Sequence, residues 1–246
     1  MDFAKAIEKQ REIMKYELSG GNTCPLATVT LDKGESIKVE NGAMVYMKDV
    51  TIAGKMNSSK KGLGGLLGAI GRSLTSGESM FITQATGDAD GGQIGVAPAI
   101  PGKILKLSVG KQQYCLNTGA FLASDDSVSY KMKSQSFSKA AFGGTGGFYV
   151  MQTEGKGDML VNAFGDLVEL TVTSNKPISI DNEHVIAWDA NLDYDIKVAS
   201  GMFGFTSGEG LVNHFTGDGK VIIQTRNLRS LAEALQPFIV EKNSNS

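Results

Sequence analysis

Gly42-Ala43-Met44-Val45-Tyr46-Met47 is the stretch on which the fold turns, because the chain writes it again. It returns as Gly119-Ala120-Phe121-Leu122-Ala123 and a third time as His184-Val185-Ile186-Ala187-Trp188-Asp189, at spacings of 77 and 65 residues. A second marker keeps step with the first. Glycine-led turns that feed an apolar run recur at Gly77-Glu78-Ser79-Met80-Phe81, Gly144-Thr145-Gly146-Gly147-Phe148 and Gly208-Glu209-Gly210-Leu211-Val212, 67 and 64 residues apart. Self-similarity at a fixed period marks a chain that stacks one supersecondary unit on itself.

Around these markers the hydrophobic period is two. Ser36-Ile37-Lys38-Val39-Glu40, Leu105-Lys106-Leu107-Ser108-Val109 and Val168-Glu169-Leu170-Thr171-Val172 all alternate apolar with polar, the pattern of half-buried strands. Turn residues punctuate them. Asp32-Lys33-Gly34, Asn41-Gly42, Asn117-Thr118-Gly119, Gly155-Lys156-Gly157-Asp158 and Gly217-Asp218-Gly219 offer the positive φ that tight hairpins require. Helical spacing occurs only at the ends. Phe3, Ala6, Ile7, Ile13 and Met14 share one helical side, so residues 1–17 are expected to form an amphipathic helix. At the other end Asn227 is a competent N-cap, Leu228, Leu231 and Leu235 mark one face, and Pro237 closes a helix over 227–236.

The predicted fold is therefore all-β: three tandem, sandwich-like β repeats at about 18–100, 101–165 and 166–226, flanked by an N-terminal and a short C-terminal helix. No linker separates the repeats, and a unit of some 65 residues has little core of its own, so residues 18–246 are expected to fold as one body.

Composition agrees and narrows the partners. The 246 residues are 41% apolar and 20% charged, an ordinary globular balance, and 31 glycines against five prolines favour many tight turns over long helices. With 24 basic and 26 acidic residues the net charge is −2, which supplies no field for gathering phosphates; no nucleic-acid partner is indicated. Cys24 and Cys115, the only cysteines, have no Cys-x-x-Cys or His at ligand spacing and read as reduced thiols. Charged residues interrupt Met1–Leu18, so no secretory leader is read there and a cytoplasmic location is expected. No run reaches the ~20 apolar residues of a spanning helix.

Each group that might carry chemistry has a plainer reading. The glycine-rich stretch Lys60–Ser73 ends in Gly71-Arg72-Ser73, yet Leu66 and Arg72 stand where a phosphate loop needs Gly and Lys, and Leu67 stands where the dinucleotide motif needs its third Gly. It reads as an insertion in the first repeat. Its Leu63, Leu66, Leu67 and Ile70 would dock on a neighbouring subunit or, with Lys60, Lys61 and Arg72, touch a membrane surface, where each cation is worth only about 1 kcal/mol. His184 and His214, the only histidines, lie in non-equivalent places and cannot make a multi-histidine metal site. His184 stands where the other copies have Gly42 and Gly119, which suggests a turn with its own hydrogen bond. Asp125-Asp126 and Asp181, Glu183, Asp189, Asp193 and Asp195 read as solvated faces. No Gly-x-Ser-x-Gly elbow occurs. No catalytic, metal or cofactor residue is expected.

From about Met14 to Asn227 the motifs resemble the altered-inheritance-of-mitochondria family. Those that carry the likeness are Gly34-Glu35-Ser36, Asn41 to Met47, Gly64-Gly65-Leu66-Leu67-Gly68, Ser76 to Phe81, Pro101-Gly102-Lys103-Ile104, Phe142-Gly143-Gly144 and Ser207-Gly208-Glu209-Gly210-Leu211. The resemblance implies three tandem β units like subunits of the tryptophan RNA-binding attenuation protein, each a short double-stranded β-helix, with three chains forming a ring of nine units. It brings no established catalytic or ligand residues. Thr145 departs from the pattern, replacing the Glu of the other two turns, Glu78 and Glu209.

Two functions follow as expectations. The first is a non-enzymatic homotrimeric scaffold whose repeats pair edge to edge between chains, because closing a ring removes exposed edges. The alternative is a small-ligand binder or enzyme with a site between repeats or subunits, lined by Trp188, Tyr194, Phe205, Asp189 and Asp193.

Overall fold

The computed structural model describes residues 14–21, 23–56, 81–135, 148–198 and 211–239. Along the first third run β1 (Lys15–Ser19), β2 (Leu26–Leu31), β3 (Ser36–Glu40), β4 (Met44–Lys48), β5 (Val50–Met56), β6 (Phe81–Gly87) and β7 (Gly92–Val96). The middle third holds β8 (Gly102–Val109), β9 (Tyr114–Asn117), β10 (Phe121–Asp125), β11 (Val128–Gln135), β12 (Phe148–Gly155) and β13 (Gly157–Phe164). The last third holds β14 (Leu167–Val172), β15 (Ile178–Asp181), β16 (Val185–Asp189), β17 (Asp193–Val198), β18 (Leu211–Thr216) and β19 (Gly219–Gln224), followed by helix α1 (Leu228–Leu235).

These strands form four antiparallel sheets. Their orders are β1-β2-β7-β4, β5-β6-β3-β10-β13-β8, β11-β12-β9-β16-β19-β14 and β15-β18-β17. In the two six-stranded sheets every label of one is six higher than its counterpart in the other. Both are joined at the centre in the same register: Val39, Lys38 and Ile37 of β3 face Ala123, Ser124 and Asp125 of β10, and Leu116, Cys115 and Tyr114 of β9 face Ala187, Trp188 and Asp189 of β16.

Three apolar cores fill the spaces between successive sheets. Val29, Leu31, Ile37, Val39, Ile94 and Leu160 belong to the first, Phe121, Leu116, Met151, Met159 and Val161 to the second, and Trp188, Phe215, Val185 and Val221 to the third. Around β10 and β13, and around β16 and β19, the middle sheets are thus covered on both faces. In β13 the adjacent residues Met159, Leu160 and Val161 are all buried, Leu160 in one core and its neighbours in the next. Such a strand reads as a continuous apolar run. By contrast β2 and β3 alternate buried with half-buried residues, as a strand with one core-facing side must.

The expected strands are present: Ser36–Glu40 is β3 residue for residue, and the other two alternating stretches lie inside β8 and β14. Gly34, Gly42 and Gly217 hold positive φ as their turns require. Three expectations change. Lys15–Glu17 are strand, paired with Val29 and its neighbours in β2, so the helix expected over 1–17 does not extend past Met14; residues 1–13 lie outside the described residues. Asn117-Thr118-Gly119 is no hairpin, because Thr118–Ala120 form a 3-10 turn and Gly119 does not take a positive φ. A matching 3-10 turn, Asn182–His184, precedes β16, and each following strand bulges one residue later, between Phe121 and Ala123 and between Val185 and Ala187. Phe121 therefore corresponds to Val185, at a spacing of 64, and His184 stands at the position of Ala120 rather than Gly119. The second marker, at Gly77, Gly144 and Gly208, lies outside the described residues.

At the C-terminus, Asn227 caps α1: its Oδ1 accepts a hydrogen bond from the backbone N–H of Ser230 at 2.7 Å. The helix runs to Leu235 and tightens into a 3-10 turn over Gln236–Phe238, where Pro237 sits.

One buried residue is out of place chemically. Asn213 of β18 is fully buried, and among the described residues neither its Oδ1 nor its Nδ2 has a hydrogen-bond partner. Its counterpart is Met151, which faces Leu116 across β9 and β12 as Asn213 faces Ile180 across β15 and β18. An unsatisfied buried amide costs about 1–3 kcal/mol. Asn213→Met should raise the unfolding free energy by about 1 kcal/mol in a urea titration; a comparable loss would show that the amide is bonded in the native protein.

Candidate functional site

The feature that most needs a partner is a strand edge. Among the described residues β4 pairs only with β7, through Met44↔Val96, Tyr46↔Gly95, Met47↔Ile94 and Lys48↔Gln93. Its counterparts β10 and β16 each lie between two strands. The same bulge precedes Tyr46, Ala123 and Ala187, so Met44 corresponds to Phe121 and Val185, and Met47 to Ser124 and Trp188. Phe121, Val185 and Trp188 are 1–2% exposed, whereas Met44 is 38% and Met47 45% exposed. Val45 between them is exposed as well.

Tyr46 is held in place rather than loose. Its ring lies over Gly95, whose missing Cβ leaves the room, and its hydroxyl shares a 3.0 Å hydrogen bond with Thr28 Oγ1. The edge is thus preformed.

The complementary gap lies at the far end of the molecule. Among the described residues β15 pairs only with β18, while β3 and β9, which hold the matching places in the six-stranded sheets, carry β10 and β16 on their second side. Sequence reading located β4 through its motif but not β15, because four residues with one alternation give no signal of an edge.

The residues weighed as chemistry are engaged elsewhere. A carbonyl only accepts, so His184 Nδ1 donates to Gln224 O at 2.7 Å; its Nε2 then accepts from Asn227 Nδ2 at 2.9 Å. Both ring nitrogens serve to tie the start of α1 to the body, as its expected turn role required. His214 Nδ1 shares a 2.9 Å hydrogen bond with Ser179 Oγ on the outer face of the last sheet. Cys24 is exposed; Cys115 is buried, and burial pushes its thiol up to about 11, with Lys133 opposing the shift, which makes it a poor nucleophile at neutral pH.

The acids are spread out. Asp125 accepts from the Asp158 N–H, Asp181 from the Glu183 N–H, and Asp189 from the Lys220 N–H, the last with its carboxyl raised above the usual range by burial. Asp193 and Asp195 point outward from β17 as expected. Among the described residues no three His, Cys, Asp or Glu groups converge on a metal site. Trp188 is core: it meets Tyr194 and Phe215 edge-on, with ring centroids 4.9 and 5.5 Å apart. Phe205, the glycine-rich stretch Lys60–Ser73, Glu78, Thr145 and Glu209 lie outside the described residues. No helix among the described residues is long and apolar enough to cross a membrane.

The comparisons with known proteins agree with this architecture. The family model for mitochondrial biogenesis AIM24 proteins matches residues 16–226. The chain belongs to that family. An uncharacterised protein of Streptococcus pyogenes serotype M6 is 46% identical over 228 residues, covering 92% of this chain and 91% of the relative. A crystal structure of a Streptococcus pyogenes protein superimposes with a TM-score of 0.76 at 42% identity, covering 92% of this chain and all of that one. The AIM24 match begins at Tyr16 inside β1 and ends at Arg226, just past β19, so it spans the β body and stops short of α1.

One titratable group sits at the end of a central strand of a six-stranded sheet. Glu40 ends β3, and at the matching end of β9 Asn117 Nδ2 donates to the carbonyls of Val185 and Asn182, at 2.5 and 3.4 Å. Burial raises the Glu40 carboxyl to about 7. Between about pH 4.5 and 7 the folded protein holds this proton while the unfolded chain has released it, so stability falls as pH rises through that window. Glu40→Gln should flatten this slope and add on the order of 1 kcal/mol at pH 8, a figure reduced for the group's partial exposure. Thermal unfolding of both proteins from pH 4.5 to 8 reads it; parallel profiles would dismiss the titration.

Proposed function

We propose that this chain is three copies of one six-stranded unit, and that copies of the chain join head to tail through β4 and β15 into a closed homotrimer. The trimer is an interaction scaffold that performs no chemistry of its own. A single observation carries this reading: Met44 and Met47 lie open on β4 where their counterparts Phe121, Val185 and Trp188 are sealed in core. Fully burying side chains of this size is worth about 1.5–3 kcal/mol each. The supporting topology is the offset of six between successive sheets, which makes the first and last sheets two halves of the same six-stranded arrangement.

The register follows from the two internal junctions. Val39↔Ala123 and Leu116↔Ala187 translate to Ile180 against the partner's Tyr46, with Ser179 against the partner's Met47 and Ile178 against the partner's Lys48. Such an interface is heterologous, so it ends in a ring or grows into a filament. A ring of three chains and nine units is what the family resemblance implies. A non-catalytic role is supported by the structural engagement of both histidines and by the burial of Cys115.

Light scattering should return three times the 26.0 kDa chain mass. In a Cys24→Ser background, Ser179→Cys combined with Met47→Cys should oxidise to a covalent trimer on a non-reducing gel, since facing strand positions lie within disulfide reach. A monomer at micromolar concentration would end the reading; a trimer without the cross-link would mean that another surface holds it together.

A further inference from the structure

The helix α1 has no buried residue, and one whole side of it is apolar: Leu228, Leu231 and Leu235, extended by Phe238 and Ile239, are all exposed, Phe238 at 81%. Its other side is polar, with Arg229 Nε donating to Glu233 Oε1 at 3.0 Å. The helix is nonetheless firmly rooted. Asn227 is 8% exposed and bonds both His184 and the N–H of Ser230, and Arg226 N–H donates to Phe164 O at 3.2 Å. A well-anchored helix that presents five large apolar side chains to water needs a cover.

The position of the root says what that cover is. The segments that lead from one unit into the next form a ladder: Gly102 N–H donates to Thr23 O, Gly165 N–H to Pro101 O, and Arg226 N–H to Phe164 O. Each rung leads into the first strand of a unit, β2 after Thr23, β8 at Gly102 and β14 after Gly165. Arg226 occupies the fourth rung, and there the chain turns into α1 instead of another strand. In the closed assembly the unit that follows is the first unit of the next copy, which begins with the segment around Thr23. Close by that segment the exposed Leu18 of β1, with Ser19, Gly21, Pro25, Lys103 and Ile104, lines an open recess.

We infer that α1 is an intersubunit clasp: its apolar face packs on the Leu18 and Pro25 recess of the next copy, beside the β15–β4 junction. This rests on the head-to-tail reading above and adds a second contact to it. The partner is a second copy of this chain, whose Lys103 beside the recess is already ion-paired with its own Asp166, so the contact rests on apolar packing.

The exposed Cys24, between Thr23 and Pro25, is a native reporter for the contact. Leu228→Cys in the full chain, treated with a short bis-maleimide, should give a covalent trimer on a denaturing gel. Adding Cys24→Ser, or Leu231→Asp with Leu235→Asp, should abolish that product, while light scattering still reports a trimer. A trimer by light scattering whose subunits run as monomers after cross-linking would overturn the clasp and leave the β junction standing. A cross-linked trimer that survives the two aspartates would overturn the apolar packing. A monomer by light scattering would remove the clasp together with the reading it rests on.

Discussion

The structure depends on strands that are covered on both faces. Where one sheet serves two cores, as β13 does with Leu160 on one side and Met159 and Val161 on the other, neither core can form without the sheet between them. Because β3 bonds to β10 and β9 to β16, each middle sheet is built half from one stretch of chain and half from the next. The cores are consequently shared between sheets, and removing a middle sheet would expose apolar surface in two of them.

Among the described residues the two smaller sheets each keep an open edge: β1-β2-β7-β4 ends in β4, and β15-β18-β17 begins with β15. Edge strands elsewhere are commonly protected by charge or proline. β4 has the bulge before Tyr46 that its paired counterparts share, one lysine at its end, and otherwise Met44, Val45, Tyr46 and Met47, an apolar composition that does not repel a strand. The two histidines have local structural bonds: His184 holds the N-cap of α1, and His214 bonds Ser179 on the outer face of the last sheet.

Much of the fold was legible from residue order. Ser36–Glu40 reads as a strand and is one, because Ile37 and Val39 enter a single core while their neighbours stay at the surface. The C-terminal helix was legible through Asn227 and its leucine spacing for a similarly local reason. Two-faced strands were harder, since Met159-Leu160-Val161 has no period to detect. The third copy of the leading motif was read one residue out of step, because the 3-10 turn at Asn182–His184 and the bulge after Val185 shift the strand without leaving a mark in composition. Lys15–Glu17 fall within the helix expected over 1–17, beyond the last residue of its apolar stripe, Met14, and pairing with β2 makes them strand.

By itself the sequence determined the all-β class, the recurrence of one motif and the absence of any recognisable catalytic pattern, all of which follow from local periodicity and residue chemistry. Only the tertiary structure decided which strands are neighbours. Val39 meets Ala123 and Leu116 meets Ala187 across more than 70 residues of chain, and hydrogen bonds between backbones carry no residue code that could announce the pairing beforehand. The open edges belong to that second kind of knowledge, because a strand is unpaired only in relation to the partners its sheet has already found.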